Sequence, residues 1–385
     1  MHTRKHHGLT VSAIGLGCYG LSGAYGPPDV AGYVRTLQRG HELGVTFYDT
    51  AHAYGDAERI LGEAVAAFRD EVVIATKIGM KQGALSSLAP GDIRASCEDS
   101  LRRLNTDRID LFQIHYDDPA TPVERVITTL DDLEQAGKIR AYGLGHLSPD
   151  RARDFLEQGN VSTILMELSA VATESRDTLL PLCAEYDAAA IAFSVTGRGL
   201  LAGAFAPGHR FDADDIRALD PLFQRERFAS GLRVAKKLTE IGEQYGKTST
   251  QVAIAWVLAQ PHVLCALTGP SKLTHLEENL AAADWMLPPE EQEALEAYLA
   301  EERSGIATAQ AESVRRILAD PLPTNPAEAF TDLVYALETA LQLGWTTEGE
   351  VMPTFQALFK LRVKGNIDSL KGIKTQLSQL VGYLE

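Results

Sequence analysis

Between residue 11 and about residue 283, eight short apolar runs alternate with amphipathic stretches of helical spacing, and this alternation constrains the fold more than any other feature. The runs are SAIGLGC, VTFYD, VVIATK, IDLFQIH, IRAYGLG, STILMEL, AAIAFS and VLCALTG. Short apolar runs bounded by turn residues read as buried strands, and strands separated by helices read as successive βαβ units. A chain of 385 residues can hold one large barrel and a small appendage. The fold expected is therefore α/β, a (β/α)8 TIM barrel with a small all-α C-terminal appendage. A doubly wound open sheet is the runner-up. It would want a glycine fingerprint running from strand into helix, whereas GLGCYG (15–20) runs into a loop. Ser148-Pro149 and Thr248 read as helix starts, and Gly137 and Gly246 as helix ends.

Three of the runs carry reactive side chains at or just past their ends: Asp49 and Tyr54 after VTFY, Lys77 after VVIAT, and His115 after IDLFQI. In a barrel, the C-terminal strand ends form one rim, and side chains there read as catalytic. A free tyrosine has a pKa of about 10 and donates a proton poorly at neutral pH, but an adjacent ammonium stabilises its phenolate. Lys77 is expected to play that part for Tyr54, with Asp49 holding Lys77 and His115 bonding a substrate oxygen. Such a set protonates an alkoxide as it forms, or in reverse takes a proton from an alcohol. Taken singly, these residues read as an ion pair, a core histidine and a loop aromatic. All four on one rim favour the functional reading.

The formal net charge of −16 argues against nucleic-acid binding and against docking on anionic membranes. Cys18, Cys97, Cys183 and Cys265 are scattered, so neither disulfides nor a zinc site is expected, and a reducing cytoplasm fits. His6 and His7 lack a third spaced ligand, so no metal is expected. The N-terminal MHTRKHHGLTVSAIG has no long apolar core, and no stretch approaches a membrane span.

Several long segments resemble the aldo-keto reductase family over roughly residues 8–305. They are GLTVSAIGLGCYGLSGAYG, FYDTAHAYGDAERILGEA, ATKIG, IRASCEDSLRRLNTDRIDLFQIHYDD, LDDLEQAGKIRAYGLG, GRGLLAG and TGPSKLTHLEENLAA. The pattern is most similar to the branch with potassium-channel β subunits and bacterial sugar or aldehyde reductases. The resemblance implies that Asp49, Tyr54, Lys77 and His115 are the catalytic tetrad. It also implies NADPH, more often than NADH, lying across the barrel mouth. Phe193 would stack on the nicotinamide, and Ser194 and the segment from Gly197 to Leu200 would follow the pyrophosphate. Gly269 would open the segment in which Ser271 and Lys272 hold the adenosine 2′-phosphate, with His275 where the family often has Arg or Gln, and Glu278 and Asn279 would meet the adenine. Two positions depart from the family. Gly145-His146 replaces a Ser-Asn pair, and Leu165 stands near the place of a glutamine, both of which hold the carboxamide in the family. Tyr19 and Tyr25 are expected beside the substrate.

The domain boundaries expected are a barrel at 1–305, a linker at 306–325 and a helical appendage at 326–385. The insert from Gly197 to Phe228 is either a lid or a surface excursion. The appendage packs on the barrel, joins two subunits, caps the site or docks another protein. The function expected is NADPH-dependent reduction of an aldehyde or ketone, a sugar or secondary metabolite among them, or the reverse oxidation. One rival is a redox-neutral elimination or epimerisation on the same acid-base set. The other is a cofactor-sensing scaffold that binds partners through residues 326–385.

Overall fold

The computed structural model describes residues 1–79, 87–212, 214–361 and 366–382. Eight parallel strands close into a barrel: β1 (Ile14–Gly17), β2 (Phe47–Asp49), β3 (Val73–Ile78), β4 (Leu111–Ile114), β5 (Tyr142–Gly145), β6 (Thr163–Glu167), β7 (Ala189–Phe193) and β8 (Val263–Thr268). Seven lie inside one of the eight apolar runs, and β3 runs one residue past VVIATK, to Ile78. Closure comes from β8, which pairs with β7 on one side and β1 on the other. Nearly every strand residue is buried, as expected when helices cover one face and the barrel core the other. The helices start and stop on local chemistry. The Ser148 side chain caps the helix Pro149–Gln158, and Thr248 forms a reciprocal capping box with Gln251 at the helix Ser249–Leu258. Gly137 and Gly246 adopt left-handed backbone just past helix ends.

One element was not anticipated. Residues Thr3–His6 and Leu9–Ser12 pair as an antiparallel hairpin before the first barrel strand. Leu9 and Val11 are buried among Phe47, Ala75, Leu111 and Leu264 of the barrel interior, so the hairpin plugs the end at which the strands begin.

The chain divides into two compact units, one of residues 1–202 and 238–289, the other of 203–237 and 290–385. The second unit has its own apolar core, in which Val314 and Ile317 join Phe330, Leu333, Leu337 and Leu377. Its helices are Pro289–Ala319, Pro326–Gln342, Glu348–Leu361 and Ile367–Val381. The segment 306–325, expected as a linker, is thus helical as far as Ala319. The reason is a buried stripe of Gln310, Ser313, Val314 and Ile317, spaced by three, one and three residues, which Gly305 does not interrupt. Residues beyond Gly203 of the long insert belong to this unit. The Glu226 carboxylate accepts from Ser313 Oγ at 2.6 Å and from Tyr335 Oη at 2.7 Å, and Arg225 pairs with Asp332 at 2.5 Å. The apolar pattern expected from Ile367 to Leu384 is realised by burial of Leu370, Ile373, Leu377 and Val381. Residues 362–365 and 383–385, which complete the last two helices expected from sequence, lie outside the described residues.

Two glycines test this packing with opposite signs. In the helix Ala57–Val65, a methyl group on Gly62 would stand 2.2 Å from the main-chain oxygen of Leu104. On Gly305, within Pro289–Ala319, it would meet nothing within 4 Å. Gly62→Ala is expected to destabilise by about 1–3 kcal/mol despite alanine's helical preference. Gly305→Ala is expected to stabilise by about 1 kcal/mol. Thermal denaturation of both variants beside the parent protein measures each sign.

Candidate active site

Side chains two residues apart on a strand share a face. Phe47, Ala75 and Leu111 lie in the barrel core, so Asp49, Lys77 and Gln113 come next above them, and His115 follows Gln113 by two more. The four proton-transfer candidates therefore meet at the mouth. Lys77 Nζ donates to Asp49 Oδ1 at 2.5 Å and to the Thr50 carbonyl at 2.8 Å. Gln113 Nε2 donates to the other Asp49 oxygen at 3.3 Å. Tyr54 sits on the short 3-10 turn His52–Tyr54 after β2. Its ring centroid lies 5.0 Å from Lys77 Nζ and 5.8 Å from the His115 ring, edge to face.

Burial governs the electrostatics. Asp49, Lys77 and His115 are 5%, 1% and 4% exposed. Burial pushes the Asp49 carboxyl above the usual carboxylate range, and the Lys77 ammonium works against that push. Burial, then Asp49 and Tyr116, hold the Tyr54 phenol well above its ordinary value. This runs against the sequence expectation that Lys77 would lower it, because burial and the nearby Asp49 carboxylate both disfavour the phenolate. Burial, then Lys77 and His146, hold His115 well below the usual imidazole range. His115 is therefore neutral near pH 7, and its Nδ1 is buried without a partner. The Cys18 thiol is fully buried and pushed well up by desolvation, which makes it a packing residue.

The residues expected around a dinucleotide fall on neighbouring strand ends. Gly145 ends β5, and a side chain there would stand 3.0 Å from the Ile114 carbonyl. His146 follows with left-handed backbone, its ring stacked on Tyr116 at 4.7 Å and 5.2 Å from Phe193 at the end of β7. Burial holds His146 down at about 4. Ser194 and Gly197 form a tight turn, Gly197 donating to the Ser194 carbonyl at 2.7 Å, and Leu200 donates back to Gly197 at 2.9 Å. After β8, Gly269, Ser271, Lys272 and His275 are exposed around the start of the helix Leu273–Leu280. Its first turn has no side-chain cap, so main-chain N–H groups are available to an anion. Glu278 is half-buried and Asn279 buried. Leu165 points into the apolar barrel core and offers no polar contact.

Sequence reasoning missed Gln113, which period-two spacing from His115 would have found. It also missed Tyr116 and the fork in which Arg198 donates to both Glu167 oxygens at 2.7 and 3.3 Å. Glu167 shares its strand face with Leu165, and that parity was the available signal. His146, Leu165, Glu167 and Phe193 line a cavity of about 160 Å³ beside the mouth. Tyr19 lies 5.1 Å from Tyr54, and Tyr25 5.8 Å from Tyr19, ring to ring.

The model of the aldo/keto reductase family matches residues 13–300. The chain is 34% identical over 302 residues to the aldo-keto reductase str7 of Strobilurus tenacellus, covering 75% of this chain and 89% of that protein. The glycerol dehydrogenase of Gluconobacter oxydans superposes with a TM-score of 0.72 at 32% identity, over 78% of this chain and 95% of its own. An aldo/keto reductase from Klebsiella pneumoniae, solved in complex with NADP and acetate, superposes with a TM-score of 0.60 at 25% identity, over 75% and 92%. Among the described residues, no helix is long and apolar enough to cross a membrane.

The buried pair makes a signed prediction about stability. In Lys77→Met, only causes that favour the protonated form of Asp49 grow, so its folded pKa rises further above the unfolded value. A carboxyl raised in this way contributes stability at low pH and loses it as pH climbs past the unfolded value near 4. Lys77→Met is therefore expected to cost about 3–5 kcal/mol at pH 8, with a smaller deficit against the parent at pH 5. Urea unfolding of both proteins at the two pH values measures this.

Proposed function

The chain belongs to the aldo/keto reductase family and is an NAD(P)-dependent oxidoreductase acting on carbonyl compounds, and on that premise we propose that it uses NADPH to reduce an aldehyde or ketone with Tyr54 as proton donor. The observation that carries this reading is the Lys77–Asp49 ion pair beneath the Tyr54 ring, with a neutral His115 alongside. A phenol held well above its ordinary value stays protonated near pH 7 and yields its proton only to a strong base such as a forming alkoxide. Lys77 then balances the phenolate charge, and Asp49, itself held by Gln113, keeps Lys77 in place. His115 donates to the substrate oxygen and orients it toward Tyr54.

When bound, NADPH supplies the hydride. The exposed Ser271 and Lys272 at an uncapped helix start suit its 2′-phosphate, with Gly269 and His275 beside them and Glu278 and Asn279 toward the adenine. Phe193 suits the nicotinamide face, and the turn through Ser194, Gly197 and Leu200 suits the pyrophosphate. His146, beside Gly145, is the polar group left to meet the carboxamide. NADP in the Klebsiella relative supports the choice of phosphorylated cofactor, and glycerol as substrate of the Gluconobacter relative supports small hydroxylated carbonyls.

A redox-neutral reaction on the same acid-base set is the second reading, favoured by the apolar Leu165 where the family has an amide. NADPH consumption with a panel of aldehydes, ketones and sugar-derived carbonyls separates the two. Tyr54→Phe is expected to lower kcat by roughly 10²–10⁴ without weakening NADPH binding. Lys272→Ala is expected to weaken NADPH by roughly tenfold, about 1.5 kcal/mol of charge-assisted bonding, and to leave NADH unchanged. Because His115 and His146 are both held low, kcat should show no titration limb near the ordinary imidazole value of about 6.5. Turnover without loss of NADPH would instead select the redox-neutral reading.

A further inference from the structure

At the opposite end of the barrel from the mouth, the fold assembles a second cluster. His6 ends the first strand of the plug hairpin, and His7 occupies its turn. Asp187 lies two residues before β7, and His262 immediately precedes β8. The His7 Nε2 and an Asp187 carboxylate oxygen are 3.0 Å apart, and the ligand atoms of His6, His7 and Asp187 all lie within 4.8 Å of one another. The two imidazoles stack at 4.2 Å. Among the described residues, this is the group of three that brings histidine and carboxylate ligand atoms together.

Two further observations point to a ligand. The His6 Nε2 is buried without a partner. A cavity of about 210 Å³ opens beside the cluster, lined by His6, Asp187 and His262. Arg4 also borders it, but its guanidinium is engaged with the carbonyls of Leu258 and Val263. His7, Asp187 and His262 each hold left-handed backbone at a non-glycine residue.

We propose that His6, His7 and Asp187 bind one divalent transition-metal ion of the zinc, nickel or copper class, with water completing the shell. Two imidazoles and one carboxylate select that class over magnesium or calcium, which prefer all-oxygen shells. Tetrahedral ligands about 2.0–2.1 Å from zinc stand roughly 3.3 Å apart, close to the 3.0 Å between His7 Nε2 and the Asp187 oxygen. The ion fastens the plug hairpin to the loop before β7. It takes no part in the proton transfer at the other end.

The test uses the full chain, stripped with a chelator and dialysed against zinc, with bound metal and thermal unfolding both measured. The variants are His7→Asn and Asp187→Asn, since asparagine keeps the left-handed backbone while removing the ligand. One equivalent of zinc per chain is expected, with a rise in unfolding temperature that magnesium does not reproduce. Both variants should bind at least roughly tenfold more weakly and lose the zinc-dependent rise. Their NADPH-dependent activity should be unchanged, which separates this site from the catalytic reading. Absence of stoichiometric binding, or equal affinity in both variants, would overturn the proposal.

Discussion

Closure of the sheet is the constraint on which the barrel unit depends. An open eight-stranded parallel sheet would present two unpaired edges, each a row of unsatisfied N–H and C=O groups. Pairing of β8 with β1 removes both edges. It also brings strand ends that are distant in sequence onto a single rim. Asp49, Lys77 and His115 come from three adjacent strands, Phe193 from the seventh and Lys272 from the loop after the eighth. None of these separations is bridged locally, and all are bridged once the ring closes.

The mouth tolerates buried charge because each group is partnered. Lys77 is almost fully buried, yet its ammonium reaches the Asp49 carboxylate and the Thr50 carbonyl. The second oxygen of Asp49 takes the Gln113 amide. Just outside the barrel wall the same logic recurs, where the buried Glu58 carboxylate accepts from Thr76 at 2.6 Å and from Arg103 at 2.6 Å. Thr76 points outward because Lys77 points inward, so strand parity sorts the two ion pairs to opposite faces. A buried pair with all its bonds made is costly to break from either side, which holds a reactive lysine in one geometry.

Much of this was legible in the residues. Eight apolar runs at βαβ spacing named the strands, and the capping residues Ser148 and Thr248 marked helix starts. The meeting of Asp49, Tyr54, Lys77 and His115 at the mouth was legible because chemistry-bearing side chains at strand ends have one rim to occupy. The helix through 306–319 was not, because Gly305, with Ser304 and Thr308 beside it, weakens helical propensity, and burial of Val314 and Ile317 against other helices overrides that weakness. The sign of the Tyr54 shift was also illegible, since it depends on how far burial strips the phenolate of water.

By itself, the sequence determined what is local: the alternation that commits each segment to strand or helix, the parity that selects one face, and the residue types that can move a proton. Only the tertiary structure decided which groups meet. Gln113 against Asp49, Arg198 against Glu167, and His7 against Asp187 are separated by 64, 31 and 180 residues. Backbone propensity acts over a few residues, whereas hydrogen bonds and desolvation act through space at a few ångströms. A contact between distant residues becomes defined only when barrel closure has fixed the positions of both.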